Sequence, residues 1–210
     1  MEFTLTLAIL VITVITSLIA NGNNELYYKL MFNSYQVAHR KEWYRLITHA
    51  FIHSKENIFH LVVNMYVFYS FGKITESFFV LYRPGFGKLM YLSLYLGAVI
   101  ASSIPSLIKH KDNYNYNAVG ASGAVSAVLF SSIAFLPIIE GGGINLMFIP
   151  IDIPPIIFGI AYLAYEAYMS KRSNDNVAHD AHFWGAIFGI AFTFLVIPES
   201  FTNFFAAIFG

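Results

Sequence analysis

A serine hydroxyl lies between two glycines at the start of a long apolar segment, where the chain reads VGASGAVSAVLF. The serine is Ser122, and its neighbours Gly120 and Gly123 lack a Cβ atom, so the backbone can bend and other groups can approach the hydroxyl. A serine nucleophile needs both properties. Glycine and serine also serve as packing residues between membrane helices, so the tetrapeptide alone is a weak indication of catalysis.

Histidines and an asparagine lie at the starts of two other apolar segments. His60 and Asn64 are four residues apart, which puts them on one face of a helix, one turn from each other. His179 and His182 stand at the start of a later segment. An imidazole can take the proton of a serine nucleophile, and imidazole and amide groups can donate to an oxyanion. Acyl transfer is therefore possible if the fold brings these residues together.

The composition indicates that membrane helices must position these residues. Hydrophobic residues make up 57% of the 210 residues and charged residues 11%, and the mean hydropathy is +0.61. A soluble domain carries about 25% charged residues. Lys and Arg balance Asp and Glu at 12 each, so the charge does not indicate a nucleic-acid partner, and the absence of cysteine excludes disulfides, thiolate metal sites and a cysteine nucleophile. We predict an all-α integral membrane protein.

Six apolar segments are long enough to cross a bilayer as helices, which takes about 20 mostly apolar residues. They cover residues 3–20, 58–74, 89–108, 118–139, 149–169 and 181–197. We expect a single membrane domain over residues 1–210, and a retained first helix rather than a signal peptide, because that helix lacks a basic start. The first loop, residues 21–57, contains Trp43 and Tyr44 and is expected to fold at the membrane interface.

The order of the helices predicts that the polar residues converge. In a bundle with short loops, the second, fourth and sixth helices run in the same direction and begin at the same membrane face. His60, Ser122 and His182 would then lie at a similar depth. Polar groups in a bilayer are costly and usually mark a functional site. The sequence therefore predicts a site at that face.

Small residues predict a close contact between the fourth and sixth helices. Gly185 and Gly189 are four residues apart on the sixth helix, and Gly123 and Ala127 are four residues apart on the fourth. Facing stripes of small residues allow two backbones to approach closely. This approach would bring a serine oxygen within reach of a histidine ring.

Together these motifs resemble those of the rhomboid intramembrane serine proteases. They are, in chain order, W-Y-R at residues 43–45, H-x-x-x-N at 60–64, G-x-S-G at 120–123 and A-H-x-x-G-x-x-x-G at 181–189. Each motif is short, but the order and spacing are specific. The resemblance implies a six-transmembrane-helix bundle of the rhomboid type, with Gly120, Gly123, Gly185 and Gly189 as motif and packing residues.

The resemblance also implies a role for each polar residue. Ser122 would be the nucleophile and His182 the general base, in a dyad without a carboxylate. His60, Asn64 and the backbone N–H of Ser122 would donate to the oxyanion. His179 is the competing candidate for the base, and the A-H-x-x-G motif favours His182.

Three features depart from the family pattern or bear on it. Ser126 stands where the family usually has an aromatic residue that stacks on the catalytic imidazole, and Trp184 stands where it usually has a small residue. Lys and Arg are concentrated in the loops that the family's usual topology places outside the cell, against the positive-inside tendency.

Glu166 is expected to be solvated at an interface, a turn from Lys171 and Arg172.

The implied function is an intramembrane serine endopeptidase that cleaves transmembrane segments of membrane proteins, in the plasma membrane of a prokaryote. Its partners would be substrate helices and the lipid bilayer, with no nucleic acid, no metal and no cofactor. The main alternative is a catalytically inactive rhomboid-like protein that binds transmembrane segments. A metalloprotease or a histidine-ligated redox protein is a weaker alternative because the sequence contains no H-E-x-x-H motif. A small transporter is weaker still because the polar residues cluster at one end.

Overall fold

Helices make up most of the chain in the computed structural model, which describes residues 4–146, 149–172 and 177–210. The helices are α1 (Leu5–Asn21), α2 (Asn24–Leu30), α3 (Ser34–Arg40), α4 (Arg45–Thr48), α5 (Ile58–Tyr82), α6 (Gly87–His110), α7 (Ser122–Phe135), α8 (Pro155–Arg172), α9 (His179–Val196) and α10 (Pro198–Phe209). A 3₁₀ turn, His49–Phe51, follows α4. Two antiparallel pairs of strands join β1 (Phe32–Asn33) to β2 (Asn117–Ala118), and β3 (Ile144–Leu146) to β4 (Ile149–Ile153). The structure agrees with the predicted all-α class.

Helix α7 lies at the centre of the bundle. Its sequence is apolar or small on every side, and every residue from Gly123 to Phe135 is buried. A helix that is hydrophobic all round is normally buried among other helices. Helices α5, α6 and α9 pack around it, α1 packs on α5, and α8 lies mainly against α9.

The backbones of α7 and α9 are in direct contact. A Cβ atom placed on Gly185 would overlap the carbonyl oxygen of Gly123, and one placed on Gly189 would overlap the carbonyl oxygen of Ala127. Only glycine fits at either position of α9, since no side chain fits between the two helices. Trp184, which precedes the first of them, is 48% exposed and points away from this contact.

Large apolar side chains cover the outer surface of the bundle. On α1 and α6 the exposed ones are Val11, Ile12, Ile15, Leu18, Ile19, Leu89, Ile100, Ile104 and Ile108. A soluble monomer rarely exposes large apolar patches, and these helices expose several large apolar side chains each. The outer surface is suited to contact with lipid.

One helix within the described ranges is by itself both long and apolar enough to cross a membrane, and this is α6, with 24 residues and a mean hydropathy of 1.6. Helices α9 and α10 meet the same criteria only as a pair, and they are bent by 111° at the break between them. Helices α1 and α7 are apolar but shorter. At about 1.5 Å per residue, the 14 residues of α7 extend about 21 Å, less than the bilayer core. Six spans therefore stay a prediction.

Two predicted helices have different limits in the structure. Helix α5 continues beyond residue 74 to Tyr82, and its extension contains Glu76, which is buried. Its carboxylate accepts hydrogen bonds from the backbone N–H groups of Leu5 and Thr6, at 2.8 and 2.9 Å, and so caps the start of α1. Helix α7 begins only at Ser122, because residues 117–118 form β2.

The predicted helix over residues 149–169 was wrong in its first turn. Residues Ile149–Ile153 form β4, and α8 begins at Pro155. Proline lacks a backbone donor and disfavours helical geometry in the residue before it, so the pair Pro154–Pro155 separates strand from helix. Proline at the first position of the helix is compatible with that start.

Helix α10 was not predicted from the sequence. It turns away from α9 at Pro198, and Phe201, Phe205 and Phe209 are exposed along one face at four-residue spacing. A short amphipathic helix with an aromatic face is suited to lie in the membrane interface.

The first loop is folded, and a buried arginine holds it together. The guanidinium of Arg45 donates to the carbonyl oxygens of Tyr28 and Met31, at 2.8 and 2.7 Å, and its Nε donates to the carboxylate of Glu42 at 2.6 Å. These contacts join α2 to α4. Trp43 is exposed, as expected for a side chain at the interface.

The contact between α7 and α9 predicts a large effect of a single methyl group. Gly189→Ala should lower the thermal unfolding midpoint, because the new Cβ atom forces the backbones apart, and overpacking of this kind costs about 1–3 kcal/mol. The measurement is thermal unfolding of the purified protein in detergent. Gly22→Ala is the control, because its Cβ atom would meet its nearest neighbour at 3.6 Å. Equal midpoints for the two variants would contradict the close contact.

Candidate active site

The starts of α5, α7 and α9 open on one cavity of about 660 Å³. His60, Ser122 and His182 all line it. Its outer wall comes from the first loop, from the segment before α7 and from the residues before α9. The structure therefore brings these three predicted residues together on one surface.

Ser122 is the first residue of α7, at the positive end of a buried helix. The residue before it, Ala121, is the N-cap, and the first N–H groups of a helix have no acceptor within the helix. Gly120 adopts a φ of +117°, which an L side chain rarely adopts, and its N–H donates to the carbonyl oxygen of His49 at 3.0 Å. This turn presents the Ser122 hydroxyl beside N–H groups that have no acceptor within the helix and beside the positive end of the helix dipole, both of which favour negative charge.

His60 and Asn64 occupy different surroundings. His60 is half-buried, and its ring lies near Gly120, where a Cβ atom would be 3.5 Å from the ring carbon Cε1. Asn64 is 5% exposed, and its Nδ2 donates to the carbonyl oxygen of His60 at 2.9 Å. The structure does not bring Asn64 to the cavity wall formed by the described residues. Its amide retains a second N–H.

His182 contacts a carboxylate that the sequence analysis did not anticipate. Its Nδ1 is 3.1 Å from Oε1 of Glu166, and the other oxygen, Oε2, is 2.6 Å from Nδ1 of His179. Glu166 is 3% exposed and His179 is 4% exposed. Glu166 is therefore buried, and the expectation that it is solvated was wrong. The polar residues predicted to converge lie at the starts of the second, fourth and sixth helices, whereas Glu166 lies near the end of α8, which runs the opposite way and ends at the same face.

Glu166, His179 and His182 also form a set of three residues that could hold a metal ion. Their ligand atoms lie within 4.8 Å of one another. Two imidazoles and a carboxylate are ligands that zinc accepts. The H-E-x-x-H criterion could not find this set, because two helices contribute to it. In the structure each Nδ1 faces a carboxylate oxygen at hydrogen-bond distance, so these two nitrogens and both oxygens of Glu166 have partners within the set.

Ser126 is tied to α8 rather than stacked against the histidine ring. Its hydroxyl lies 2.7 Å from the hydroxyl of Tyr162, which is one turn before Glu166. The ring that meets His182 edge-on is that of His179, with 6.2 Å between ring centroids. The aromatic residue that the family usually carries at position 126 is thus replaced by a polar link between α7 and α8.

A second cavity of about 40 Å³ lies beside Ser122. Its walls include Ser102, Ser103 and the backbone of Gly123. A cavity of this size has room for a few water molecules at most. The space beside the nucleophile can accept only a small group.

Comparison with known proteins identifies the family of this chain. The family model described as the Rhomboid domain matches residues 40–199. The chain belongs to the rhomboid family. The rhomboid match extends from the first loop to the start of α10 and includes His60, Asn64, Ser122, Glu166 and His182. Membership implies a membrane protein.

A curated rhomboid relative matches part of the chain. Over 150 residues the chain is 27% identical to presenilin-associated rhomboid-like protein A, mitochondrial, from Danio rerio. The match covers 65% of this chain and 34% of the relative, so the chain spans about a third of that relative's length. The similarity is distant, and it does not distinguish a protease from an inactive rhomboid.

Two buried histidines of the first loop support the site from behind. His53 is fully buried, its Nδ1 lies 3.0 Å from the hydroxyl of Ser17, and its Nε2 accepts a long hydrogen bond from the Ala121 N–H at 3.5 Å. His49 is also buried, with Nε2 3.0 Å from the hydroxyl of Ser103. Burial lowers the pKa of His49 to about 4 and that of His53 to about 3. Both rings are therefore neutral at pH 7.

These histidines predict that the fold loses stability in mild acid. In the unfolded chain each takes up a proton below a pH of about 6.5, whereas in the fold each stays neutral down to its lowered pKa. Between these limits the unfolded state binds more protons. The free energy of unfolding therefore falls as the pH is lowered, by up to about 1.4 kcal/mol per pH unit for each histidine. Thermal unfolding midpoints from pH 7 to pH 5 measure this dependence. His49→Gln and His53→Gln should each make it shallower, and an unchanged slope in both variants would contradict the assignment.

Proposed function

We propose that this protein is an intramembrane serine endopeptidase in which Ser122 is the nucleophile and His182 the general base. The observation that carries the proposal is the contact between the backbones of Gly123 and Gly185. Ser122 directly precedes the first glycine, and His182 lies one turn before the second. Both side chains line the same cavity, and the serine stands at the positive end of α7.

The mechanism follows from these positions. His182 takes the proton of the Ser122 hydroxyl as its oxygen attacks the scissile carbonyl carbon, and the carbonyl oxygen becomes an oxyanion. The N–H groups at the start of α7 and the ring of His60 donate to that oxyanion, and Asn64 joins them if its amide turns from the His60 carbonyl. His182 then returns the proton to the leaving amine, and water releases the acyl group by the same route.

The proposed substrates are transmembrane segments of other membrane proteins, which reach the site from the bilayer. A helix hides its carbonyl groups in hydrogen bonds, so the segment must unwind before attack. The cavity of about 40 Å³ beside Ser122 supports a preference for a small residue at the cleavage site. Helix α6 and the apolar outer surface support insertion in lipid, and the six-helix topology belongs to this proposal.

The membrane in which the protein resides is a separate proposal. We propose the plasma membrane of a prokaryote. The name of the Danio rerio relative assigns that protein to mitochondria, so the prokaryotic location rests on the sequence analysis alone.

A catalytically inactive rhomboid that binds transmembrane segments is the second candidate function. The distant match to a rhomboid-like protein is the observation that keeps it open. The presence of both Ser122 and His182 favours the protease, because an inactive member can dispense with either.

A serine-directed electrophile separates the two functions. Serine reacts with such a reagent only when a neighbouring base activates it. We expect wild type to be labelled at Ser122 in detergent with a chelator present, Ser122→Ala to be unlabelled and His182→Ala to label very weakly. His179→Ala should keep a substantial fraction of the wild-type rate.

The control is Ser93→Ala, which removes an exposed hydroxyl on α6 and should label as wild type. Cleavage of a transmembrane reporter by wild type and not by Ser122→Ala supports the same conclusion. Equal labelling of all variants means that the hydroxyl is not activated, and the inactive candidate then stands. Labelling of wild type that occurs without chelator and is lost when chelator is added favours the metal-dependent alternative.

The oxyanion donors predict losses in kcat rather than in KM. His60→Ala should lower kcat by about 10²-fold, the usual effect of removing one donor, because its ring already faces the cavity. Asn64→Ala should lower kcat by ~10-fold or more if its amide turns to the oxyanion as the mechanism requires. Steady-state cleavage of the reporter measures both, with thermal unfolding to verify the fold. An unchanged kcat in a folded variant removes that residue from the oxyanion site.

A further inference from the structure

The buried carboxylate of Glu166 lies against the proposed general base, on a helix that carries neither Ser122 nor His182. We propose that Glu166 is a positioning residue that keeps the proton of His182 on Nδ1 and so leaves Nε2 free to accept the proton of Ser122. This inference rests on the proposed function, in which His182 is the base. It extends the dyad to a chain of three residues from α7, α9 and α8.

The chemistry of the contact determines the tautomer. An ionised carboxylate can only accept hydrogen bonds, so the nitrogen that faces it must carry the proton. Nδ1 of His182 lies 3.1 Å from Oε1 of Glu166, so Nδ1 is the donor. A neutral imidazole with its proton on Nδ1 has a free lone pair on Nε2, which is the atom that a base must offer.

The second oxygen of Glu166 is held as well. Oε2 lies 2.6 Å from Nδ1 of His179. This nitrogen must also be the donor, because an ionised carboxylate can only accept. With both oxygens engaged, the carboxylate plane cannot rotate without breaking one contact. His179 therefore adds to the fixing of Glu166, whereas the contact of Oε1 with His182 alone sets the tautomer, and this contact remains when the His179 ring is removed. The ring of His182 is further confined because only 14% of its side chain is exposed.

A comparison with the other buried glutamate argues against a purely structural role. Glu76 accepts hydrogen bonds from the first backbone N–H groups of α1 and from the hydroxyl of Thr6, so it serves as a cap. Glu166 instead meets two imidazoles at the start of α9. A carboxylate inside a membrane bundle is costly unless it has partners, and an apolar side chain would pack there at lower cost.

The distance between His179 and Glu166 favours a hydrogen bond over ligation of a shared cation. Two ligands of a tetrahedral zinc ion, each about 2.0–2.1 Å from the metal, lie roughly 3.3 Å apart. The contact between His179 and Glu166 is 2.6 Å, which is a hydrogen-bond distance. The same atoms would have to separate and turn to a common centre to bind zinc.

The test compares Glu166→Gln with wild type in the full chain in detergent. The glutamine is nearly isosteric but offers an amide that no longer requires a proton on Nδ1. Cleavage of the transmembrane reporter should show kcat lowered by at least ~10-fold with KM within about threefold, because the ring is misdirected while binding is unaffected. Labelling by the serine-directed electrophile should fall in parallel.

A spectroscopic measurement reads the tautomer directly and does not depend on activity. Nitrogen-15 NMR of histidine-labelled protein should show an Nδ1–H signal that His182→Ala removes, and Glu166→Gln should abolish or move that signal. Glu76→Gln is the matched control, because it should lower the thermal midpoint while kcat of the folded protein stays within about threefold. Glu166→Asp should recover part of the lost kcat.

The outcomes are distinct. An unchanged kcat in folded Glu166→Gln, or an Nδ1–H signal that persists unchanged in that variant, overturns the inference while leaving the protease intact. Activity or an Nδ1 signal that changes when zinc is added or chelated overturns it in favour of a metal site. If wild type neither cleaves nor labels, the protease proposal fails, and the NMR comparison still decides whether Glu166 sets the tautomer of His182.

Discussion

The direct contact between the backbones of α7 and α9 is the constraint on which the rest of this structure depends. Gly185 and Gly189 have no room for a Cβ atom, so the two helices lie closer than side chains would permit. This closeness puts the first residue of α7 and the first turn of α9 on one cavity. The contact also contributes to the burial of α7, which is enclosed by other helices rather than exposed to lipid. A site inside an apolar bundle thus follows from two glycines.

Burial of polar groups away from water governs the remaining architecture. Each charged or polar side chain inside the bundle needs a partner from the protein, because lipid offers none. Glu76 meets this demand by capping α1, and Arg45 meets it by binding carbonyl groups of the first loop. His53 meets it with the hydroxyl of Ser17, which connects α1 to the turn before α7. These contacts fix the outer helices and the loop around the central helix, and so they define the cavity walls.

The site residues at the starts of helices could be predicted from the sequence, whereas Glu166, near the end of a helix, was missed. The glycine spacing and the histidines predicted that α5, α7 and α9 start at one face, because helix direction alternates along the chain. The same rule puts the end of α8 at that face, but Glu166 has charged neighbours in sequence that suggested a solvated position. Helix α10 was missed because its phenylalanines repeat every fourth residue in a segment too short to span. Strand β4 was missed because its apolar residues are equally compatible with the start of a helix. Only the proline pair that follows distinguishes the strand from a helix.

The position of Glu166 gives α8 a part in the proposed mechanism that a dyad alone would not require. Helix α8 lies mainly against α9, and two of its side chains, on successive turns, make polar contacts with the site. Tyr162 contacts Ser126 on α7, and Glu166 contacts both His179 and His182 on α9. Because these contacts involve both helices of the central pair, a displacement of α8 would release the histidine ring and the helix behind the serine together. The orientation of the proposed base therefore depends on three helices packing at once, rather than on the two that carry the reacting groups.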